Sequence, residues 1–160
     1  AGGGPVNEDT ARDMLGKLDG AQTVANGVGS VAFLKPHEAA NGKAGAMGFC
    51  WGGGIVGSLA AADPGLAGGV VYYGRQPAAA DVPKIMAPLL LHYASLDERI
   101  NAGIAEFEAA LKAAGKSYEL HMYEGANHAF NNDTSEARYS KAAADLAWGR
   151  TVAFLKKNAG

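Results

Sequence analysis

The sequence predicts an α/β fold in which a mostly parallel sheet lies between two layers of helices. Short apolar runs typical of buried strands alternate with longer runs of helical periodicity along the 160 residues. Strands separated by helices are joined by parallel crossovers, which place functional loops at the carboxyl ends of the strands. No internal repeat or linker is visible, so residues 1–160 are expected to form a single domain.

Two helices are predicted before the first strand. Asn7 is a favoured N-cap for a short helix that extends to Leu18. The second helix ends before Pro36, because proline cannot continue it. Its apolar face is formed by Val24, Val28, Val31 and Leu34.

Four strands and three further helices follow. The strands are predicted at residues 44–49, 69–73, 89–94 and 118–123. An alanine-rich helix ends at Asp63-Pro64-Gly65, and Gly115 ends an amphipathic helix. The apolar face of that amphipathic helix is Ile100, Ile104, Phe107 and Leu111. A final helix begins near Ser135 and is expected to direct these side chains to the sheet: Tyr139, Leu146, Trp148, Val152 and Leu155.

The first strand runs into the motif Gly48-x-Cys50-x-Gly52, which contains the only cysteine. In such a strand-turn-helix motif the central residue adopts a strained backbone conformation and projects above the sheet, where it can act as a nucleophile. The glycines are expected to let the strand and helix approach closely. The alternative is a chance motif around a buried cysteine, since free cysteine is among the most buried residue types.

Asp97 and His128 follow later strands and complete a candidate catalytic triad with Cys50. The order nucleophile, acid, histidine is the order found where a nucleophile sits on this kind of turn. The alternative for Asp97 is a helix cap, a role compatible with catalysis, and Glu98 is the less favoured acid. The alternative for His128 is a loop histidine satisfied by the backbone.

The chemistry of these residue types assigns each a role. His128 would be the base, Asp97 would fix its tautomer, and the backbone N–H of Trp51 would stabilise an oxyanion. A helix N-terminus and a neighbouring imidazolium are expected to lower the pKa of Cys50. The remaining histidines are assigned no chemistry: His37, His92 and His121.

Four stretches together resemble the dienelactone hydrolases, the cysteine-nucleophile branch of the α/β-hydrolase fold. They are Met47-Gly48-Phe49-Cys50-Trp51-Gly52-Gly53-Gly54, Val71-Tyr72-Tyr73-Gly74-Arg75, His92-Tyr93-Ala94-Ser95-Leu96-Asp97 and Tyr123-Glu124-Gly125-Ala126-Asn127-His128-Ala129-Phe130. The resemblance implies hydrolysis of small esters or lactones through a thioester on the cysteine, with no cofactor and no metal.

The resemblance also implies that the chain lacks the N-terminal strands of the domain. In such a sheet the strand before the nucleophile is central, so residues 44–49 are expected to form an exposed edge, covered by upstream polypeptide or by a second copy. The early loop that supplies the second oxyanion donor and an activating glutamate has no counterpart, and Glu8 and Glu38 are expected on helix surfaces. The alternative function is therefore a non-catalytic remnant.

Substrate contacts are less closely specified. Family members that open dienelactone carry an arginine shortly after the histidine, where this chain reads Asn131-Asn132-Asp133. Arg75 is a candidate replacement cation or an ordinary solvated arginine. The aromatic candidates for a binding pocket, or else for the core, are Tyr73, Phe130, Tyr72 and Trp51.

Composition excludes several classes of function. The net charge of −2 comes without a basic patch, which argues against nucleic acid. Residues 52–54 lack the Lys-Ser/Thr of a phosphate-binding loop. No apolar run would span a bilayer, and residues 1–5 show no signal peptide, so a soluble, cytoplasmic protein is expected.

Overall fold

A computed structural model describes residues 7–160, without the side chains of Glu8 and Arg12. Residues 1–6, on which the signal-peptide prediction rests, lie outside the described part. The helices are α1 (Glu8–Gly16), α2 (Gly20–Leu34), α3 (Trp51–Ala62), α4 (Glu98–Asn101), α5 (Ile104–Ala113) and α6 (Lys141–Ala159). The strands are β1 (Gly45–Phe49), β2 (Gly68–Tyr72), β3 (Leu89–Ala94) and β4 (Tyr118–Tyr123), and a 3₁₀ helix spans Ala79–Lys84.

The four strands of the described residues form one parallel sheet in the order β1-β2-β3-β4. Phe49 is in register with Tyr72, and Tyr72 with His92, so successive strands end at one edge. The predicted parallel sheet with helical crossovers is confirmed. Strand β1 pairs only with β2 within residues 7–160, and its other edge is open.

Helices cover both faces of the sheet, as predicted. On one face α2, α3 and α5 pack on apolar side chains such as Leu89, Leu91 and Tyr93. On the other face α6 packs through Ala147 and Phe154 on a second apolar cluster. Because side chains alternate along a strand, β3 contributes to both clusters and is fully buried. Within residues 7–160 we find no helix with the length and apolar character needed to span a membrane.

Two predicted helices differ from the structure. The amphipathic helix is interrupted at residues 102–103, which separate α4 from α5. The final helix begins at Lys141, because residues 131–139 form successive turns and the Ser140 N–H returns to bond the carbonyl of Phe130. Its predicted apolar face is wrong at Leu146 and Trp148, which are 52% and 49% exposed, whereas Leu155 packs against the core as predicted. The buried positions of α6 are instead two alanines, one threonine and one phenylalanine: Ala144, Ala147, Thr151 and Phe154.

A polar network lies buried between the sheet and α6. His92 Nε2 bonds Thr151 Oγ1 at 3.1 Å, and His92 Nδ1 bonds the Tyr123 hydroxyl at 2.9 Å. Arg150 donates to the same hydroxyl at 3.0 Å. Since Tyr123 accepts from Arg150, its own proton goes to His92 Nδ1, which makes His92 a neutral Nε2–H tautomer. Burial lowers the pKa of His92 to about 3, consistent with that neutral state.

Candidate active site

Cys50 lies on the turn between β1 and α3. Its backbone has φ 51° and ψ −120°, a conformation that residues with a side chain rarely adopt. The Cys50 N–H donates to the carbonyl of Tyr72 at 3.0 Å, and its own carbonyl accepts from Gly54 N–H at 3.2 Å. These bonds hold the turn on both sides, so the strain is maintained by the surrounding backbone.

Glycines allow the backbones to meet around this turn. A Cβ at Gly48 would overlap the carbonyl of Gly52, and one at Gly53 would lie 2.8 Å from the Tyr72 carbonyl oxygen. A Cβ at Gly74, in the loop after β2, would overlap the backbone of Gly53. The close approach predicted for Gly48 is therefore confirmed, whereas a Cβ at Gly52 would meet nothing within 4 Å. The contact that sequence reasoning missed is between Gly53 and Gly74.

The three candidate triad side chains converge at the carboxyl edge of the sheet. His128 Nε2 lies 3.1 Å from Cys50 Sγ, and His128 Nδ1 lies 2.5 Å from Asp97 Oδ2. The Asp97 side chain is 6% exposed and that of His128 is 26% exposed. An imidazole that donates from Nδ1 to a carboxylate leaves Nε2 free to accept the thiol proton.

Asp97 also caps α4, so both roles considered for it coexist in the geometry. Its Oδ1 lies 3.4 Å from the N–H of Ile100, while Oδ2 accepts from His128. The amide of Asn101 donates to the carbonyls of Ala94 and Ser95 at 2.8 and 3.2 Å, which closes the loop before Asp97. Glu98, the other acid considered, is an exposed residue of α4.

Burial raises the pKa of the Cys50 thiol, opposite to the sequence-based expectation. The nearby positive charge of Arg138 acts against that rise, and Asp97 adds to it. Desolvation therefore outweighs the favourable charges around the sulfur. A neutral thiol beside a basic imidazole nitrogen is the resting state that this geometry favours, with proton transfer coupled to attack.

Beside the thiol lies a cleft of about 240 Å³, lined by Cys50, Trp51, Tyr73, Arg75, Arg99, Ile100 and His128. Tyr73 forms a wall whose ring centroid is 5.1 Å from that of His128. The predicted candidates Phe130 and Tyr72 are instead fully buried in the core. Phe130 packs behind Tyr73 at 5.2 Å between ring centroids.

Sequence reasoning missed two cations near the thiol, Arg99 in the cleft and Arg138 beside it. Arg99 follows Asp97 by two residues. Its position in the first turn of the helix that Asp97 caps could have indicated that it lies near the site. Arg138 belongs to the turns that replace the predicted start of α6, where helical periodicity is misleading.

The other histidines lie away from the thiol. His92 belongs to the buried network, His121 lies 3.7 Å from Glu119, and His37 is exposed after α2. Glu38 is also exposed, in a turn after α2 and not on a helix. Among residues 7–160 no group of three or more His, Cys, Asp or Glu side chains is placed to hold a metal ion.

Known proteins resemble this chain over most of its length. A relative from Saccharolobus solfataricus, named provisionally as a carboxymethylenebutenolidase, is 43% identical over 112 residues, which are 69% of this chain and 43% of the relative. The carboxymethylenebutenolidase of Pseudomonas putida is 30% identical over 92% of this chain and 64% of its own. A crystal structure from Klebsiella pneumoniae, described provisionally as a dienelactone hydrolase, has a TM-score of 0.81 and 28% identity.

That crystal structure matches over 89% of this chain and 63% of its own chain. Each of these three proteins is thus covered over less than two thirds of its own length. The match supports the predicted α/β-hydrolase-like fold, with a parallel sheet flanked by helices. The family model described as "Dienelactone hydrolase family" matches residues 2–159, and the chain belongs to the dienelactone hydrolase family.

Proposed function

We propose that this chain carries the nucleophile, base and acid of a hydrolase that cleaves small esters or lactones through a thioester on Cys50. The observation that carries the proposal is the continuous relay from Cys50 Sγ through His128 to the buried Asp97 carboxylate, at 3.1 and 2.5 Å. Family membership and the carboxymethylenebutenolidase name of the Pseudomonas putida relative support the reaction class.

In the first half-reaction Cys50 Sγ attacks the carbonyl carbon as its proton passes to His128 Nε2. The carbonyl oxygen becomes an oxyanion, and the N–H of Trp51, the first residue of α3, would donate to it. The oxyanion then reforms the carbonyl, the ester C–O bond breaks, and His128 gives its proton to the leaving alcohol. In a lactone the alcohol stays attached to the acyl group.

In the second half-reaction a water molecule attacks the thioester while His128 takes the water proton. The C–S bond breaks, the carboxylic acid leaves, and the proton returns to the sulfur. Asp97 keeps Nδ1–H oriented in both halves and stabilises the imidazolium. No step requires a cofactor or a metal ion.

The charges around the thiol favour a substrate with an anionic group. Arg75 and Arg99 line the cleft, and the charge of Arg138 reaches the sulfur. Arg75 and Arg99 are exposed, so each is available to a ligand in the cleft. Guanidinium groups bind carboxylates in a bidentate manner. We assign Arg75 and Tyr73 to substrate binding, whereas the buried Phe130 supports Tyr73 from behind.

Acylation of the thiol is the direct test. After incubation with p-nitrophenyl acetate, intact-mass and peptide analysis should show one acetyl group, located at Cys50. Blocking the thiol with iodoacetamide beforehand should prevent the label.

A folded chain without a label at Cys50 would contradict the proposed nucleophile. That result would favour the non-catalytic remnant, for which the geometry of the site offers no support.

The open edge of β1 is the basis of a proposal about assembly. Met47 and Phe49 are 39% and 37% exposed there, and no strand within residues 7–160 pairs with that side of β1. We infer that further polypeptide of the same protein or a second copy covers this edge. Native mass spectrometry of this chain, combined with amide exchange of residues 45–49, checks the inference. A monomer of 16.3 kDa with rapid exchange in β1 would contradict coverage by a second copy.

A further inference from the structure

Helix α4 carries much of the candidate site although it has only four residues. Asp97 is its N-cap, and Arg99 and Ile100 line the cleft. Isolated helices this short are unstable, because nucleation is unfavourable and few hydrogen bonds repay it. The position of α4, and with it the orientation of the Asp97 carboxylate, must therefore be fixed by contacts with neighbouring elements.

Gln76 makes such contacts on both sides of the Asp97 loop. Its Nε2 donates to the carbonyl of Ile100, in α4, at 3.1 Å. Its side chain also acts on the Tyr93 hydroxyl, near the end of β3, where it opposes the rise in the pKa of Tyr93 that burial causes. One amide thus joins the strand that precedes Asp97 to the helix that follows it. Gln76 comes directly after Arg75, so the same loop contributes to the cleft.

The break between α4 and α5 provides the space for this amide. Gly103 has φ −93° and ψ −7°, a conformation open to any residue, so its backbone does not require glycine. A Cβ at position 103 would lie 2.6 Å from Gln76 Oε1, however. Because Gly103 has no side chain, the amide of Gln76 can occupy the space beside it.

We propose that Gln76 is a positioning residue for the triad, which holds α4 so that the Asp97 carboxylate stays aligned with His128 Nδ1. The expected effect of Gln76 on the acetylation rate rests on the proposed thioester chemistry. Its expected effect on the bond between Asp97 and His128 does not. Loss of the Gln76 bond lets α4 shift, and a displacement of about 1 Å in a catalytic group costs on the order of a hundredfold in rate. We expect acetylation of Cys50 to slow by 10- to 100-fold, with the ester concentration at half-maximal rate little changed.

The test uses two independent ways to displace the amide. Gln76→Ala removes it, and Gln76→Met keeps its length without the donor. Gly103→Ala leaves Gln76 in the chain but pushes its side chain away from Ile100. All three variants should slow acetylation. The double variant Gln76→Ala with Gly103→Ala should be no slower than Gln76→Ala alone, because the added Cβ at position 103 then meets open space. The matched controls are Gln22→Ala and Gly29→Ala, both in the exposed surface of α2, which should leave the rate unchanged.

Two readouts remain valid if the ester chemistry is wrong. The NMR resonance of the His128 Nδ1 proton, which reports the bond to Asp97, should shift upfield in Gln76→Ala. The pH profile of Cys50 alkylation by iodoacetamide should move to higher pH, because a poorly oriented imidazole is a weaker base for the thiol. An unchanged resonance and profile in folded Gln76→Ala and Gln76→Met would overturn the proposal. So would a Gly103→Ala defect that adds fully to that of Gln76→Ala.

Discussion

Replacing Cys50 by alanine is expected to lower the rate of ester cleavage by roughly 10⁴-fold or more. The physical reason is that the relay begins at this sulfur, 3.1 Å from His128 Nε2, and no other thiol is present in the chain. His128→Ala should cause a loss of similar size, because burial raises the pKa of the thiol, which then needs a proton acceptor. The double variant should be no slower than either single variant, since residues that act as a unit are not additive.

The measurement is the initial rate of p-nitrophenol release, corrected for the spontaneous reaction. Unfolding temperatures should accompany it, because Cys50 is only partly buried and its loss should leave the fold intact. His37→Ala is the matched control, since that histidine is exposed and remote from the thiol. Undiminished cleavage by Cys50→Ala would refute the nucleophile.

Gly48→Ala is expected to destabilise the fold by about 3 kcal/mol or more, a large part of the stability of a typical domain. The added methyl group would overlap the carbonyl of Gly52, and backbone atoms at a turn tied by hydrogen bonds cannot move away cheaply. Gly52→Ala is the paired control within the same motif. Its methyl group would meet nothing within 4 Å, and alanine stabilises a helix relative to glycine by up to about 1 kcal/mol.

Denaturant unfolding of the two variants checks this contrast. Equal stability of Gly48→Ala and the unmodified chain would mean that the strand and the helix can separate without cost. That outcome would remove the packing explanation for the motif, whereas a loss confined to Gly48→Ala would support it.

The strands and the convergence of the site could be predicted because both depend on local signals. Three strands are short apolar runs and β4 is an alternating one, and parallel strands end at one edge, so residues that follow them meet there. Cys50, Asp97 and His128 each follow a strand, and this order alone brings their loops together. The α/β architecture follows from the same alternation of strands and helices.

The remaining features depend on packing that no local pattern encodes. Helix α6 faces the sheet with Ala147 and Thr151, because small side chains and a hydrogen-bonding hydroxyl fit close to β2 and β3. Large apolar residues such as Trp148 are left exposed, so their spacing predicted the wrong face. The pKa of Cys50 rises because burial outweighs the neighbouring positive charges. The size of each effect depends on distances in the folded chain, which the sequence does not give.

Because of the contact between Gly53 and Gly74, a mutation can change the side chain at position 75 without changing the position of the Cys50 sulfur. Because backbone meets backbone there, no side chain sets the distance between the nucleophile turn and the loop that carries Arg75. Arg75 points from that loop into the cleft lining, and its side chain is exposed. Position 75 can therefore vary in charge and size while the sulfur stays in place. Under the proposed function, evolution or a protein engineer has at that position a means to change which esters bind without rebuilding the turn that carries the nucleophile.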